Sequence, residues 1–159
     1  MTAVAVAMGL LLGVMLLLRP TSVTIDELAV RDCLYIRPGS AGTAPAEEVL
    51  LRVSGGTPAI PEFAERASCT ASHSHEVVRV LDLGGPAAAY PDDGASLTEA
   101  TADCVAALAA LTGAGTTSVV VELLVPSPEG WGIGLRTGVC VAGRTDGGFL
   151  DQPLRDPGG

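Results

Sequence analysis

The chain contains no lysine and very few aromatic side chains: one tryptophan, two tyrosines and two phenylalanines in 159 residues. Each fully buried large side chain contributes about 2 to 3 kcal/mol, so a core this poor in rings relies on aliphatic contacts and covalent bonds. Eighteen acidic residues face nine arginines, giving a net charge of -9. That charge repels nucleic-acid phosphates, and a nucleic-acid partner is excluded on this ground. The missing lysine accompanies abundant Ala, Gly and Val, a bias expected of GC-rich coding sequence, and carries no mechanism. Only four cysteines occur, Cys33, Cys69, Cys104 and Cys140, and none forms a C-x-x-C pair, which argues against a zinc ribbon or a thioredoxin-type motif. Histidine is scarcer still, and both copies fall in one stretch, CTASHSHEV, from Cys69 to Val77.

What is present at the N-terminus is a charge-free run from Thr2 to Leu18. As a helix it would reach about 26 Å at 1.5 Å per residue, near the minimum for crossing a bilayer. It ends in Arg19-Pro20 rather than a small-residue cleavage site, so an uncleaved anchor over residues 1–19 is expected, with a cleaved signal peptide as the alternative. Residues 20–29 read as a linker, 30–150 as the folded domain and 151–159 as a tail. Arg19, Arg31 and Arg37 follow the apolar run, and the positive-inside rule would put the domain in the cytoplasm. Four cysteines in a small domain argue instead for an oxidising compartment. The cysteines carry more weight, and the expectation is a single-pass plasma-membrane protein with its soluble domain extracytoplasmic.

Strand-like runs appear at Val49–Val53, Glu76–Leu83, Ser118–Val125 and Thr137–Ala142, each rich in Val or Leu and bounded by Gly or Pro. Pro38–Glu48 reads as a loop. One helix stands out. Ser96-Leu97-Thr98-Glu99 has capping-box spacing, Leu97, Thr101, Cys104, Leu108 and Leu111 share a face, and Gly113 marks the stop. The fold class expected is α+β: a small, mainly antiparallel sheet with one main helix, disulfide-stapled, behind an N-terminal transmembrane helix.

The motifs run in a definite order: Asp32-Cys33; Cys69-Thr70-x-x-His73-x-x-Glu76-Val77; a helix carrying Cys104; then Pro126-Ser127-x-x-x-Trp131-x-x-Gly134-x-Arg136-x-x-x-Cys140. This order resembles the actinobacterial septum formation family, small envelope domains usually carried behind a membrane anchor. The family pattern includes G-D-C, C-S-x-P-H-x-x-E-V and P-T-x-x-x-W-x-x-G-D-R-x-x-x-C, and the similarity runs from about Val30 to Leu150. Arg31 stands where the family has Gly, Ser72 where it often has Pro, and Leu135 where it has Asp. The lost acid weakens any inherited site around Arg136. The resemblance implies a place more than a reaction: a membrane-tethered, non-catalytic extracytoplasmic domain that binds envelope or division-machinery partners. Two alternatives stand beside it, a metal-binding or hydrolytic envelope domain using His73, His75 and Glu76, and a structural accessory subunit of a membrane complex.

Catalysis needs a nucleophile with its base, and a metal needs three or more converging ligands. In an extended CTASHSHEV the two histidines point oppositely, whereas a helical turn would align only His73 with Glu76. No catalytic residue, metal or cofactor is therefore assigned. Of the three ways to pair the cysteines, Cys33 with Cys69 and Cys104 with Cys140 is expected, the second stapling the buried helix face to the last strand. Four side chains remain as structural or binding candidates. Trp131 is read as a lid on the core rather than a stacking platform. Glu76 is expected to accept from Arg136, His73 to bond backbone at the turn before the strand, and His75 to be exposed and dispensable.

Overall fold

The computed structural model describes residues 22–38, 45–54, 57–92, 94–112 and 117–154. Within them, alternating apolar residues build strands β1 (Cys33–Pro38), β2 (Leu50–Ser54), β3 (Thr57–Ala67), β4 (His75–Asp82), β5 (Val119–Pro126) and β6 (Thr137–Arg144). They close into an antiparallel barrel in the order β1-β3-β2-β5-β6-β4. Helix α1 (Gly94–Thr112) crosses from β4 to β5, and the short α2 (Pro128–Gly132) joins β5 to β6.

Strand periodicity divides the apolar residues between two cores. Leu34, Leu50, Ala64, Val77, Leu124, Val139 and Val141 face inward and fill the barrel. Leu123, Val125, Cys140 and Ala142 face outward and are covered by Leu97 and Cys104 of α1. Leu108 and Leu111 extend the same helical stripe. The barrel is plugged at the end where β1 begins: Val23, Ile25 and Leu28 enter the inner cluster, with Ile25 fully buried. The plug is tied down by the Val23 amide, which donates to the Ala64 carbonyl at 3.0 Å.

Two disulfides fasten this arrangement. Cys33 pairs with Cys69 and Cys104 with Cys140, each spanning 36 residues of sequence. On the chain-entropy model a loop of that size stabilises by about 4 kcal/mol. The second bond joins the buried face of α1 to β6, both cysteines being fully buried.

Two expectations are corrected. The small, mainly antiparallel sheet expected of an α+β domain is instead a closed six-stranded antiparallel barrel, because β1 and β3 complete it. β3 carries Pro58 and Pro61. Both lie where β3 runs past the end of β1 and pairs only with β2, and such an edge is where a strand tolerates proline. The helix also starts at Gly94, two residues before the expected Ser96 cap. The single-pass membrane placement is the second correction: among the described residues no helix is long and apolar enough to cross a membrane. The apolar run at 1–19 on which it rested lies outside the described residues, as does Gly113.

The two-core arrangement makes α1 a lid fixed by one face. Leu97→Ala, at a fully buried position, should cost about 2 to 5 kcal/mol, whereas Val105→Ala, at a position 55% exposed, should change stability by less than about 0.5 kcal/mol. Urea unfolding with both disulfides intact measures the difference; equal effects would mean that α1 does not seal the outer core.

Candidate functional site

The closed barrel brings charge to places the apolar pattern does not announce. Arg52 alternates with Leu50, Glu62 with Ala64, Glu122 with Leu124 and His75 with Val77, so all four share the inward parity of the barrel core. They lie toward the end opposite the plug. The Arg52 guanidinium donates through Nε to Glu62 at 2.8 Å, through a second nitrogen to the same oxygen, and through its third to Glu122. His75 Nε2 stands 3.5 Å from the other Glu122 oxygen, and its Nδ1 meets Ser74 Oγ at 2.8 Å. The imidazole fits because residue 143 opposite it is glycine: a Cβ there would lie 2.7 Å from the ring.

The electrostatics follow from this packing. A hydrogen bond from His75 holds the Glu122 carboxyl below its ordinary range, against burial and with help from Arg52. Burial draws the Arg52 guanidinium down, but the hydrogen bond and charge of Glu62, then Glu122, outweigh it and leave it raised. His75 is thus not the exposed residue expected. Arg52, Glu62 and Glu122 were not singled out from the sequence; the available signal was a charge at an inward position of an otherwise apolar strand, visible once strand parity is assigned.

CTASHSHEV lies on the seam where β1 meets β4. His73 is fully buried, exchanges backbone hydrogen bonds with Leu150 at 3.0 and 2.8 Å, and sets Nδ1 2.8 Å from the Ala71 carbonyl. Glu76, 1% exposed, accepts from the Leu154 amide at 2.6 Å through Oε2. Burial raises its pKa, opposed by that hydrogen bond and by the nearby Arg31 and His73. Both residues sit beside the Cys33–Cys69 bond: Cys33 Sγ, one His73 nitrogen and one Glu76 oxygen lie within 4.8 Å of one another.

Arg136 is not part of this group, and the Glu76–Arg136 pair is not formed. Its guanidinium stacks 4.0 Å from the centre of the Trp131 ring and donates to the carbonyls of Trp131, Leu135 and Pro86 at 2.7, 2.8 and 3.2 Å. Trp131 is 6% exposed, donates to the Ala88 carbonyl at 3.1 Å and meets Tyr90 edge-on at 5.6 Å. Burial, then the charges of Glu129 and Asp92, push the Tyr90 hydroxyl up to about 12. It stays protonated and donates to the Pro126 carbonyl at 3.1 Å. These rings lock the 83–91 connector onto the barrel. A cavity of about 350 Å³ opens beside that connector, walled by Leu81, Pro91 and Leu97 and edged by Asp82, Glu99 and Asp103.

A family model described as septum formation matches residues 57–152, well over half of the chain. The match begins with the first residue of β3, and β1 and β2 precede it. No curated protein and no solved structure matches the chain.

Removing the shared cation from the barrel interior strands two carboxylates. Arg52→Met should destabilise by about 3 to 5 kcal/mol at neutral pH, and adding Glu62→Gln should recover part of the loss. Urea unfolding tests this, and a loss below about 1 kcal/mol would show that the network is energetically idle. The pH dependence has two opposed contributions. Glu122, depressed, contributes stability that is present above its ordinary 4.5 and lost as pH falls through its lower folded value. Glu76, raised, contributes stability that is present below 4.5 and lost as pH rises through its higher folded value. Glu122→Gln should therefore flatten the acid limb of the melting-temperature profile. Glu76→Gln, which keeps an acceptor for Leu154 without a buried charge, should be as stable as the parent at neutral pH or more so.

Proposed function

The chain belongs to the septum formation family, and from that premise we propose that it is a non-catalytic binding domain of an oxidising compartment, holding a partner in the division machinery or the cell envelope. The domain itself is one of septum formation and so of cell division. The observation that carries the binding reading is that each of the buried polar side chains is held to the scaffold through at least one of its polar atoms. His73 and Glu76 are sealed and tied to backbone, Arg136 is spent on Trp131 and three carbonyls, and Arg52 joins two carboxylates. Side chains engaged in this way shape a rigid surface.

Two further features support the reading. The paired cysteines are in keeping with a compartment where disulfides persist. In a chain so short of rings, Phe149 is 56% exposed and meets Tyr35 edge-on at 6.1 Å. Exposed aromatics of this kind are the usual anchors of protein interfaces. A fluorescent fusion of the full chain in its native host should be enriched at the division site, and Phe149→Ala should reduce that enrichment without lowering the melting temperature. An even distribution of the parent fusion through the cell would overturn the division role. Enrichment that Phe149→Ala leaves intact would move the binding face elsewhere.

A further inference from the structure

The seam beside the Cys33–Cys69 disulfide has a feature that the binding reading does not use. His73 Nε2 and Glu76 Oε1 are buried, and neither has a hydrogen-bond partner among the described protein groups. Each belongs to a side chain already oriented by its other polar atom. The Ala71 carbonyl can only accept, so His73 Nδ1 carries a proton, which leaves Nε2 as the nitrogen a metal can take. The Leu154 amide engages Glu76 Oε2 and leaves Oε1 bare. This is the outer-shell arrangement of metal sites, in which a ligating imidazole donates its second N–H to a carbonyl and a ligating carboxylate is itself hydrogen-bonded.

We propose that these two atoms and the two sulfurs beside them form a latent zinc site, closed by the disulfide in the oxidised chain and available to the metal once that bond is reduced. The ligand set is Cys33 Sγ, Cys69 Sγ, His73 Nε2 and Glu76 Oε1, two thiolates with one nitrogen and one oxygen. That mixture of sulfur, nitrogen and oxygen suits zinc. Cys33 Sγ already lies within 4.8 Å of one His73 nitrogen and one Glu76 oxygen, and Cys69, bonded to Cys33, joins them by moving once the bond is reduced. In a tetrahedral zinc site the ligand atoms stand about 3.3 to 3.8 Å apart, so the sulfurs separate and the cluster contracts slightly. A bonded disulfide supplies no thiolate, which confines the site to the reduced chain.

The electron balance is that of thiol exchange. A dithiol reductant gives two electrons and two protons to the Cys33–Cys69 bond and becomes a disulfide itself, and the two thiols released shed their protons when zinc binds. Selectivity between the two disulfides is built into the fold. Cys69 lies part-exposed at the surface, whereas Cys104 and Cys140 are fully buried beneath α1. The site is independent of the binding role, since it concerns the seam and not the exposed aromatic face.

The test uses the full chain under anaerobic conditions, before and after treatment with dithiothreitol and its removal. Zinc uptake is followed by competition with a chromophoric chelator, and cobalt serves as a spectroscopic substitute. The reduced chain should take up one zinc and the oxidised chain none, and the cobalt form should show thiolate charge-transfer bands with tetrahedral visible absorption. His73→Ala and Glu76→Gln should each weaken zinc binding by more than about tenfold, while His75→Ala, on the barrel interior, leaves it unchanged. Uptake that is equal in both redox states, or absent from both, would overturn the proposal. So would uptake that survives both His73→Ala and Glu76→Gln, or that persists in the Cys33→Ser/Cys69→Ser double variant. The cobalt spectrum of the parent keeps the test decisive where a variant fails to fold, because a complex without thiolate bands also refutes it.

Discussion

A barrel exists only if its first and last neighbours meet, and here that junction is short. β1 and β4 pair through Cys33 with Glu76 and Leu34 with His75, a small fraction of the ladder that joins β4 to β6. The junction is reinforced from both sides. The Arg31 amide donates to the Val77 carbonyl and the Val77 amide to the Asp32 carbonyl, at 2.8 Å each, and Ser74 Oγ accepts from the Ile36 amide while donating to the Leu34 carbonyl. The Cys33–Cys69 bond then ties β1 to the turn that leads into β4. The histidine-bearing stretch is thus explained first as the clasp of the barrel, and its chemistry is subordinate to that task.

Closure has a second effect, on electrostatics. Once six strands form a ring, every second residue is committed to a shared interior, including any that is charged. Glu62 is 2% exposed and depends on Arg52 for compensation, which Glu122 and His75 extend away from the plug. Buried ion pairs are weak sources of net stability, but they penalise a strand that shifts register, because a one-residue slip turns the charge out and the apolar neighbour with it. That discrimination matters for short strands that carry few large side chains.

The sequence was most informative where local pattern and tertiary demand coincide. The helix with its stripe from Leu97 to Leu111, and the four aliphatic strands, follow directly from periodicity. β1 and β3 were hidden for different reasons: β1 is six residues ending in Arg37-Pro38, and β3 mixes prolines with acids. Without them no closed ring could be inferred, and without the ring His75 had no interior to enter. The placement of Arg136 likewise depends on the 83–91 connector folding back onto Trp131, a contact over some fifty residues that no spacing rule encodes. The cysteines were easier, because a thiol on the apolar face of a helix and a thiol in the last strand have matching burial requirements.

The plug formed by Val23, Ile25 and Leu28 also sets how the domain would carry mechanical load. Tension entering at Ser22 first meets the bridge between Ser22 and Glu65 and the Val23–Ala64 hydrogen bond, then the apolar side chains seated in the barrel. At the far end of the described chain, Leu154 is anchored to Glu76 and Arg31, beside the same clasp. A pull between these two points runs through the plug and the clasp, and at Leu154 it also reaches the outer core that α1 covers. The plug and the clasp thus stand at the two points where the rest of the chain would pull on the barrel.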